Sequence, residues 1–312
     1  MNLVNKTQEG LLSDPTPFVE YLTLELNQDT YKTETISEIL DKFSKISKSI
    51  GQKDTTAMMQ ITIGFSFKAW SALFPNESMP DGLHAFIELR SGDRHFPSTP
   101  GDIFVMVKST RMDLNYQASK YILSTFKPIA NAIQDIQGYK YLDDRDFIDF
   151  VDGTENPKSV ERAEAVIIDS EPYIGGSFLI VQQYFDKQKK WDSLTTEYQE
   201  GVIGRTKMDD IEIAEHKKKP YAHNVKSKVE IDGVEIKMLR QNRPFGNAMT
   251  HGTMFIGFAK TANVIETSLK QMIEPGENGH YDKLLDFVTA KTGNLYFIPP
   301  QLFLDKITSS AI

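Results

Sequence analysis

The segment from Phe147 to Pro157 has the clearest potential for chemistry in this sequence. An apolar run ends abruptly there in Asp152 and Gly153, and the turn-forming pair Asn156-Pro157 follows. A carboxylate at the end of a buried strand lies where side chains meet a pocket, so Asp152 could move a proton in general acid–base catalysis. The alternative is an Asx turn, in which the aspartate bonds only to nearby backbone.

A second segment, Tyr221-Ala-His-Asn224, offers a metal ligand. His223 follows the loop 217–220, and an imidazole nitrogen at this position could bind a metal ion. A lone histidine is also common as a polar surface residue, and His216 and His251 are rival ligands. His216 lies in a lysine-rich run that is typical of a solvated face, whereas His251 precedes a strand and could line a pocket. No two histidines are spaced i, i+4, which argues against a helix-borne zinc site.

A third segment, Met238 to Gly246, carries Arg240 and Arg243 on either side of Gln241-Asn242. Arginine keeps its proton at any physiological pH, so in a pocket it would be a fixed positive charge with a fork of N–H donors. The alternative is a strand-to-turn transition with ordinary surface arginines.

The spacing of apolar residues predicts the elements that must position these side chains. Helices are expected over 36–50, 66–73, 114–126 and 264–273, and strands over 58–65, 103–107, 178–181 and 254–258. Ile61–Phe65 and Met254–Phe258 both end in Ile-Gly-Phe and both lead into a helix, which suggests a duplicated α+β unit. Between Asp152 and Tyr173 the spacing of apolar residues shows no clear helical or strand periodicity. We therefore predict two halves, residues 1–152 and 153–312.

Composition excludes several classes of function. A net charge of −8, from 35 basic and 43 acidic residues, argues against general nucleic-acid binding. The sequence has no cysteine, which excludes disulfides, thiolate zinc sites, iron–sulfur clusters and cysteine nucleophiles. The amino terminus has no apolar core of a signal peptide, and no apolar run is long enough to span a membrane. We therefore expect a cytoplasmic protein that does not associate with membranes.

Taken together, the segments resemble the dye-decolourising peroxidase family, and most closely its cytoplasmic B-type branch. The family motif GxxDG is matched by Asp149-Phe-Val-Asp-Gly153, with Asp149 in place of the first glycine, and the typical Thr154-Glu-Asn-Pro157 follows. The resemblance extends over roughly residues 55–300. Further matches are Ser91–Asp102, Ile203–Lys207 and Asp282–Phe287.

The resemblance implies a fold and a cofactor. The expected fold is α+β, with two ferredoxin-like halves, antiparallel sheets and packed helices, in the manner of a dimeric α+β barrel. The expected cofactor is heme b, held mainly by the second half, with His223 as the axial ligand of the iron. Asp286 is expected to accept the second ring proton of His223 and make the imidazole a stronger donor.

The resemblance also implies roles for the remaining polar residues. Asp152 would be the acid–base group for peroxide, and Arg240 would stabilise the charge that develops on the leaving oxygen. Asn242 would donate or accept a hydrogen bond nearby. Arg205 would pair with a haem propionate, with Thr154 and Glu155 also in the cofactor site.

The function implied is a haem peroxidase that reduces hydrogen peroxide and oxidises dyes, phenolics or similar one-electron donors through a ferryl state. A homo-oligomer, dimeric or larger, is expected. Bulky donors would pass electrons through surface aromatic residues, for which Trp70, Trp191 and the tyrosines are candidates. The alternative function is a haem-handling or haem-iron-release protein whose peroxidase activity is incidental.

Overall fold

The computed structural model describes residues 3–309, which contain both strands and helices. The strands are β1 (Phe18–Leu26), β2 (Gln60–Phe65), β3 (Leu89–Ser91), β4 (Arg94–Phe96), β5 (Ile103–Ser109), β6 (Ala130–Tyr139), β7 (Ser177–Asp186), β8 (Glu230–Ile231), β9 (Val234–Glu235), β10 (Leu239–Arg240), β11 (Arg243–Gly246), β12 (His251–Ala259), β13 (Val288–Ala290) and β14 (Asn294–Ile298). The helices are α1 (Glu9–Leu12), α2 (Thr33–Gly51), α3 (Phe67–Leu73), α4 (Met112–Phe126), α5 (Val160–Val166), α6 (Gln188–Asp192), α7 (Thr196–Ile203), α8 (His223–Lys226), α9 (Ala262–Ile273) and α10 (Gln301–Ser309). The 3₁₀ turns are Leu3–Lys6, Thr55–Ala57 and Lys283–Asp286.

An antiparallel barrel forms the centre of the described chain. Ten strands make one sheet in the order β10-β12-β11-β6-β1-β5-β2-β14-β7-β13, and β7 also pairs with β12. This last pairing closes the sheet, with β10 and β13 as short extensions on β12 and β7. Closure leaves the barrel strands without free edges, which suits a scaffold for a rigid site.

Each half of the barrel repeats the same strand arrangement. The first half has the order β6-β1-β5-β2, and the second has β14-β7-β12-β11. Both are the antiparallel order of a ferredoxin-like unit, so the expectation of an α+β fold with two ferredoxin-like halves is confirmed. The halves join where β11 pairs with β6 and where β14 pairs with β2. The division of the chain at residues 152 and 153 stays a prediction.

The repeated Ile-Gly-Phe sequences do not occupy equivalent positions in the two halves. Ile61–Phe65 lies in β2, the second strand of the first half, whereas Met254–Phe258 lies in β12, the third strand of the second half. The two halves do share one strand topology. The two Ile-Gly-Phe sequences, however, lie in strands that are not equivalent in that topology. Apolar strands that lead into helices converge on similar short sequences because they all fill a buried sheet.

Side chains that alternate along the strands divide the core into two layers. On β1, Tyr21 packs within the barrel, whereas Leu22 packs against the helices outside it. A smaller third cluster lies between the loop after β6 and the helices α6 and α7, and it contains Ile148, Phe150, Trp191, Val202, Ile203 and Phe287. Within residues 3–309, no helix has the length and apolar character that crossing a bilayer requires.

Candidate active site

A cavity of about 700 Å³ lies between the second half of the barrel and its helices. Strand residues in its lining include Tyr184, Asp186, Arg240, Thr253 and Phe255, and helical or 3₁₀ residues include His223, Ser268, Leu269, Met272, Leu284 and Leu285. This volume is within the range of roughly 300–1,000 Å³ that is usual for small-molecule and cofactor sites. The cavity lining thus combines apolar side chains with many polar and charged ones.

His223 is the first residue of α8 and is fixed by a buried carboxylate. Its Nδ1 lies 2.6 Å from Oδ2 of Asp282, whose side chain is fully buried. Oδ1 of Asp282 accepts a hydrogen bond from the backbone N–H of Leu284 at 3.0 Å, which holds the carboxylate in place. Because Asp282 occupies Nδ1, Nε2 is the ring nitrogen left for a ligand in the cavity.

The carboxylate expected beside His223 was Asp286, and the structure contradicts that expectation. Asp286 binds Nζ of Lys283 at 2.7 Å and the hydroxyl of Tyr281 at 3.0 Å, and it does not line the cavity. The two aspartates lie at opposite ends of one 3₁₀ turn. With about three residues per turn, positions four apart point in directions roughly 120° apart, so only one of them can face His223.

Asp152 and Asn242 are brought together in the cavity lining. Nδ2 of Asn242 donates to Oδ2 of Asp152 at 2.9 Å. Oδ1 of Asn242 accepts from the backbone N–H of Ile256 at 2.9 Å. Since an N–H can only donate, the bond to Ile256 determines which end of the amide faces Asp152. Asn242 therefore holds the carboxylate in one orientation.

The backbone of Arg240 is clamped by a side chain that the sequence analysis had assigned only to a turn. Nδ2 of Asn156 donates to the carbonyl of Arg240 at 2.8 Å, and Oδ1 of Asn156 accepts from its N–H at 2.9 Å. The amide thus replaces a neighbouring strand at the edge of β10. Gly153 has φ +82°, and a Cβ there would lie 2.9 Å from Nδ2 of Asn156, so both conformation and space require glycine.

The guanidinium of Arg240 lines the cavity without a hydrogen bond or ion pair to any residue that the structure describes. A partly buried arginine often pairs with a carboxylate, because desolvating its charge has a cost. Here the fork of donors is available to a ligand instead.

Arg205, Thr154 and Glu155 form a network with Asp210 at the cavity lining. Nε of Arg205 lies 2.6 Å from Oδ1 of Asp210, and Nη1 lies 2.6 Å from Oε1 of Glu155. Nη2 donates to the carbonyl of Asp210, and the hydroxyl of Thr154 donates to Oδ2 of Asp210, both at 2.6 Å. Three of the five N–H groups of Arg205 are thereby used, which leaves one on each Nη for an anionic ligand.

Asp149, which replaces the first glycine of the motif, adopts φ +69°. A glycine is the usual residue at such an angle, but aspartate is among the side chains that tolerate it best. Its carboxylate lies 3.4 Å from Nζ of Lys207. The loop therefore keeps the backbone conformation that glycine would allow.

The rival histidines lie outside the cavity lining. His216 is exposed, and the ring nitrogens of His251 contact the carbonyl of Asn247 and Oε1 of Gln188. Residues 3–309 contain no group of three or more acidic or histidine side chains that could together hold a metal ion. A single imidazole in the cavity lining fits a metal whose other ligands come from a macrocycle, as in haem, better than it fits a bare ion.

Two family models together match most of the chain. The model described as "Dyp-type peroxidase, N-terminal" matches residues 8–140, and "Dyp-type peroxidase, C-terminal" matches residues 143–303. The dye-decolorizing peroxidase of Mycobacterium tuberculosis is 35% identical over 303 residues, which are 95% of this chain and 89% of the relative.

Solved structures agree with these matches. The encapsulated DyP-type peroxidase of Mycobacterium smegmatis has a TM-score of 0.91 at 33% identity and covers 96% of this chain and 98% of its own. A variant of DypB from Rhodococcus jostii in complex with heme has a TM-score of 0.90 at 32% identity and covers 97% and 98%. With both halves matched in sequence and in fold, the chain belongs to the Dyp-type peroxidase family and is a haem peroxidase.

Proposed function

We propose that this peroxidase uses hydrogen peroxide to oxidise dyes, phenolics or similar one-electron donors, with His223 as the residue that would hold the haem iron and with Asp152 and Arg240 as the residues that would act on peroxide. The observation that carries the proposal is one cavity lined by His223, whose Nδ1 is held by Asp282, and by the Asp152–Asn242 pair. Haem, when bound, would supply the redox chemistry, in which electrons from the donor reduce peroxide.

On the helical side, His223 would hold the iron through Nε2. The Asp282 carboxylate accepts the proton on Nδ1, which fixes the tautomer and orients the ring. It would also add negative character to the imidazole and make it a stronger donor to a bound iron. Asp282 therefore takes the role that we had expected for Asp286.

On the strand side, Asp152 would take a proton from one oxygen of peroxide and return it to the other. Its Oδ2 accepts from Asn242, so Oδ1 is the oxygen left for the peroxide proton. The amide of Asn242 does not titrate near physiological pH, so it cannot exchange a proton with Asp152. Its role is to orient the carboxylate. Arg240 would stabilise the negative charge that develops as the O–O bond breaks, with a guanidinium that makes no hydrogen bond or ion pair among the described residues.

At the edge of the cavity, Arg205 would bind a haem propionate with its two remaining N–H groups. Thr154 and Glu155 would act through the Asp210 network, which holds the guanidinium in place. The cavity is of a size for one cofactor, so a bulky dye would be oxidised from the protein surface. We also keep the expectation of a homo-oligomer, which a solution mass well above 35.4 kDa would support.

The test compares Arg240→Leu with Asp152→Asn by stopped-flow absorption, measuring the peroxide-driven change of the haem spectrum across pH. Arg240→Leu should slow the reaction at every pH, by about 10²–10³-fold, because the charge of arginine does not titrate in this range. Asp152→Asn should remove the acidic limb of the pH profile, because an amide cannot carry the proton.

The matched controls are Arg90→Leu and Asp169→Asn, which make the same changes at side chains outside the cavity lining. Both should react like the wild type. An Asp152→Asn enzyme with the wild-type rate and pH profile would remove Asp152 from the mechanism. The haem-handling alternative, which the family comparisons do not favour, predicts slow bleaching of the haem by peroxide instead of repeated turnover with a reducing dye.

A further inference from the structure

Two aspartates in the cavity lining have no part in the chemistry described so far. Asp186 ends β7, and Asp146 lies in the loop that leads to Asp152. Oδ2 of Asp186 is fully buried and has no hydrogen-bond partner among the described residues. A buried carboxylate oxygen without a hydrogen-bond donor destabilises the folded state. The presence of Asp186 in the cavity lining therefore calls for an explanation.

The strand register places a histidine opposite Asp186. Gly252 of β12 pairs with Phe185 of β7, so the antiparallel pattern puts His251, one residue earlier, opposite Asp186, one residue later. The ring of His251 packs against the ring of Phe147, with centroids 4.9 Å apart, and Phe147 follows Asp146 directly. His251 is partly exposed, so solvent reaches the end of the strand pair beside Asp186.

Asp146 is fixed so that one of its oxygens remains available. Its Oδ1 accepts hydrogen bonds from the backbone N–H groups of Ile148 at 3.2 Å and Phe150 at 3.0 Å. These two bonds leave Oδ2 as the oxygen that can take up a proton. A bridge between Arg145 and Val151, the two neighbours of Asp146 and Asp152, closes the loop and brings both aspartates to the same part of the cavity.

We propose that Asp186 and Asp146 carry protons from the surface at His251 to Asp152 during turnover. This inference rests on the proposed function and deepens it, since both aspartates act through Asp152 and are not themselves catalytic residues. The protonated imidazole of His251 would release the Nε2 proton that it shares with Oε1 of Gln188, a water would carry that proton to Oδ2 of Asp186, and solvent would restore it. Asp186 would pass the proton to Oδ2 of Asp146, and Asp146 would pass it to Asp152, with water bridging the carboxyls.

The overall reaction requires such a supply. Reduction of one hydrogen peroxide to two waters consumes two electrons and two protons in the cavity. A donor that is too large to enter releases its own proton to the solvent, while its electron travels through the protein. Two protons must therefore reach the cavity from solvent in each cycle, and no other reactant is needed for the balance.

The electrostatics of the cavity suit a proton carrier that works near neutral pH. Burial raises the pKa of Asp186 to about 6, although the nearby His251 opposes this rise. Burial also raises the pKa of Asp146 well above its usual value, with the charges of Asp152 and Asp186 adding to the effect and the N–H groups of Phe150 and Ile148 opposing it. The other strand that pairs with β7 at Asp186 is β13, and its residue opposite Asp186 is the uncharged Val288. A group that titrates near the working pH is best able to take up and release protons.

The test uses the haem-loaded enzyme and the variant Asp186→Asn, with Asp169→Asn as the control for loss of a carboxylate outside the cavity. Infrared difference spectra across pH should show a protonated carboxyl that titrates near pH 6 in the wild type and in the control, and that is missing in Asp186→Asn. After one equivalent of peroxide and a surface-oxidised dye, the return of the resting haem spectrum should slow on the order of 10²-fold in Asp186→Asn. Asp186→Glu should restore most of that rate.

An unchanged infrared titration, or an unchanged rate of return in Asp186→Asn, would overturn the inference. If Asp186→Asn does not bind haem, His251→Gln provides the second test, because it leaves both carboxyls in place. It should raise the midpoint of the carboxyl titration and slow the return of the resting spectrum, and a variant that matches the wild type in both would also overturn the inference. Failure of the proposed function looks different, since the wild type itself would then show no peroxide-driven cycle.

Discussion

The clamp between Asn156 and the backbone of Arg240 gives a prediction with two separate readouts. Asn156→Ala removes both hydrogen bonds, of 2.8 and 2.9 Å, that hold the end of β10. Each such bond contributes about 1 kcal/mol, and water can satisfy the freed groups only in part because the site is half-buried, so the free energy of unfolding should fall by roughly 2 kcal/mol. The guanidinium would remain in the cavity but would be less well placed, so peroxide should react about 10-fold more slowly, a fraction of the 10²–10³ expected for its removal.

Urea unfolding and stopped-flow absorption of the haem-loaded protein measure the two effects. Asn131→Ala is the matched control, because Asn131 makes one exposed bond, from its Nδ2 to Oδ1 of Asn27 at 2.6 Å. Its loss should change stability by at most about 0.5 kcal/mol and leave the peroxide reaction unaltered. If Asn156→Ala unfolds like Asn131→Ala and reacts at the wild-type rate, the clamp does not position Arg240.

Three further predictions concern stability and the axial histidine. Because Asp149 has φ +69°, Asp149→Gly should be more stable than Asp149→Ala by about 1–2 kcal/mol in urea, and equal stabilities would contradict the strained conformation. Burial and the charge of Asp135 raise the pKa of Glu20 from 4.5 to about 7, so the folded state keeps a proton that the unfolded chain loses. The free energy of unfolding should therefore fall by up to about 3 kcal/mol as pH rises from about 4 to 8. Urea unfolding of Glu20→Gln at about pH 4 and pH 8 should show a much smaller pH dependence. A pH dependence as steep as that of the wild type would refute the assignment. Asp282→Asn should lower haem affinity or peroxidase rate about 10–100-fold, whereas Asp286→Asn should match the wild type in a haem titration, and the reverse result would restore Asp286 as the partner of His223.

Much of the fold follows from the sequence, because the periods of its apolar residues are clear. The helix expected over 264–273 is α9, and the strand expected over 254–258 is part of β12. The same holds for residues 103–107 and β5, since a run of apolar residues can only be buried. The closing of the barrel could not be derived in this way, because the pairing of β7 with β12 depends on the packing of whole sheets.

The site residues that lie within recognisable sequence motifs could be predicted from the sequence. Asp152, His223, Arg240 and Asn242 all line one cavity, and their roles stay predictions until variants are measured. Asp282 lies in the same motif as Asp286, and nothing in the motif says which of the two faces His223, because the answer depends on the direction of one 3₁₀ turn.

Contacts between residues far apart in the chain were beyond the reach of sequence reasoning. Asn156 clamps Arg240 across 84 residues, and neither segment has a local pattern that indicates the other. The same applies to Asp186, which ends an apolar strand and has no neighbouring motif. Its interest comes only from a strand register and from a buried oxygen without a partner.

The ligation of haem by His223 is the central claim, and an absorption spectrum tests it most directly. The purified protein is titrated with one equivalent of haem, and its spectrum is compared with those of His223→Ala and His251→Ala. The account predicts a histidine-ligated Soret spectrum for the wild type and for His251→Ala, and loss of that ligation in His223→Ala. A wild type without a Soret band, or a His223→Ala spectrum that still shows histidine ligation, would contradict it.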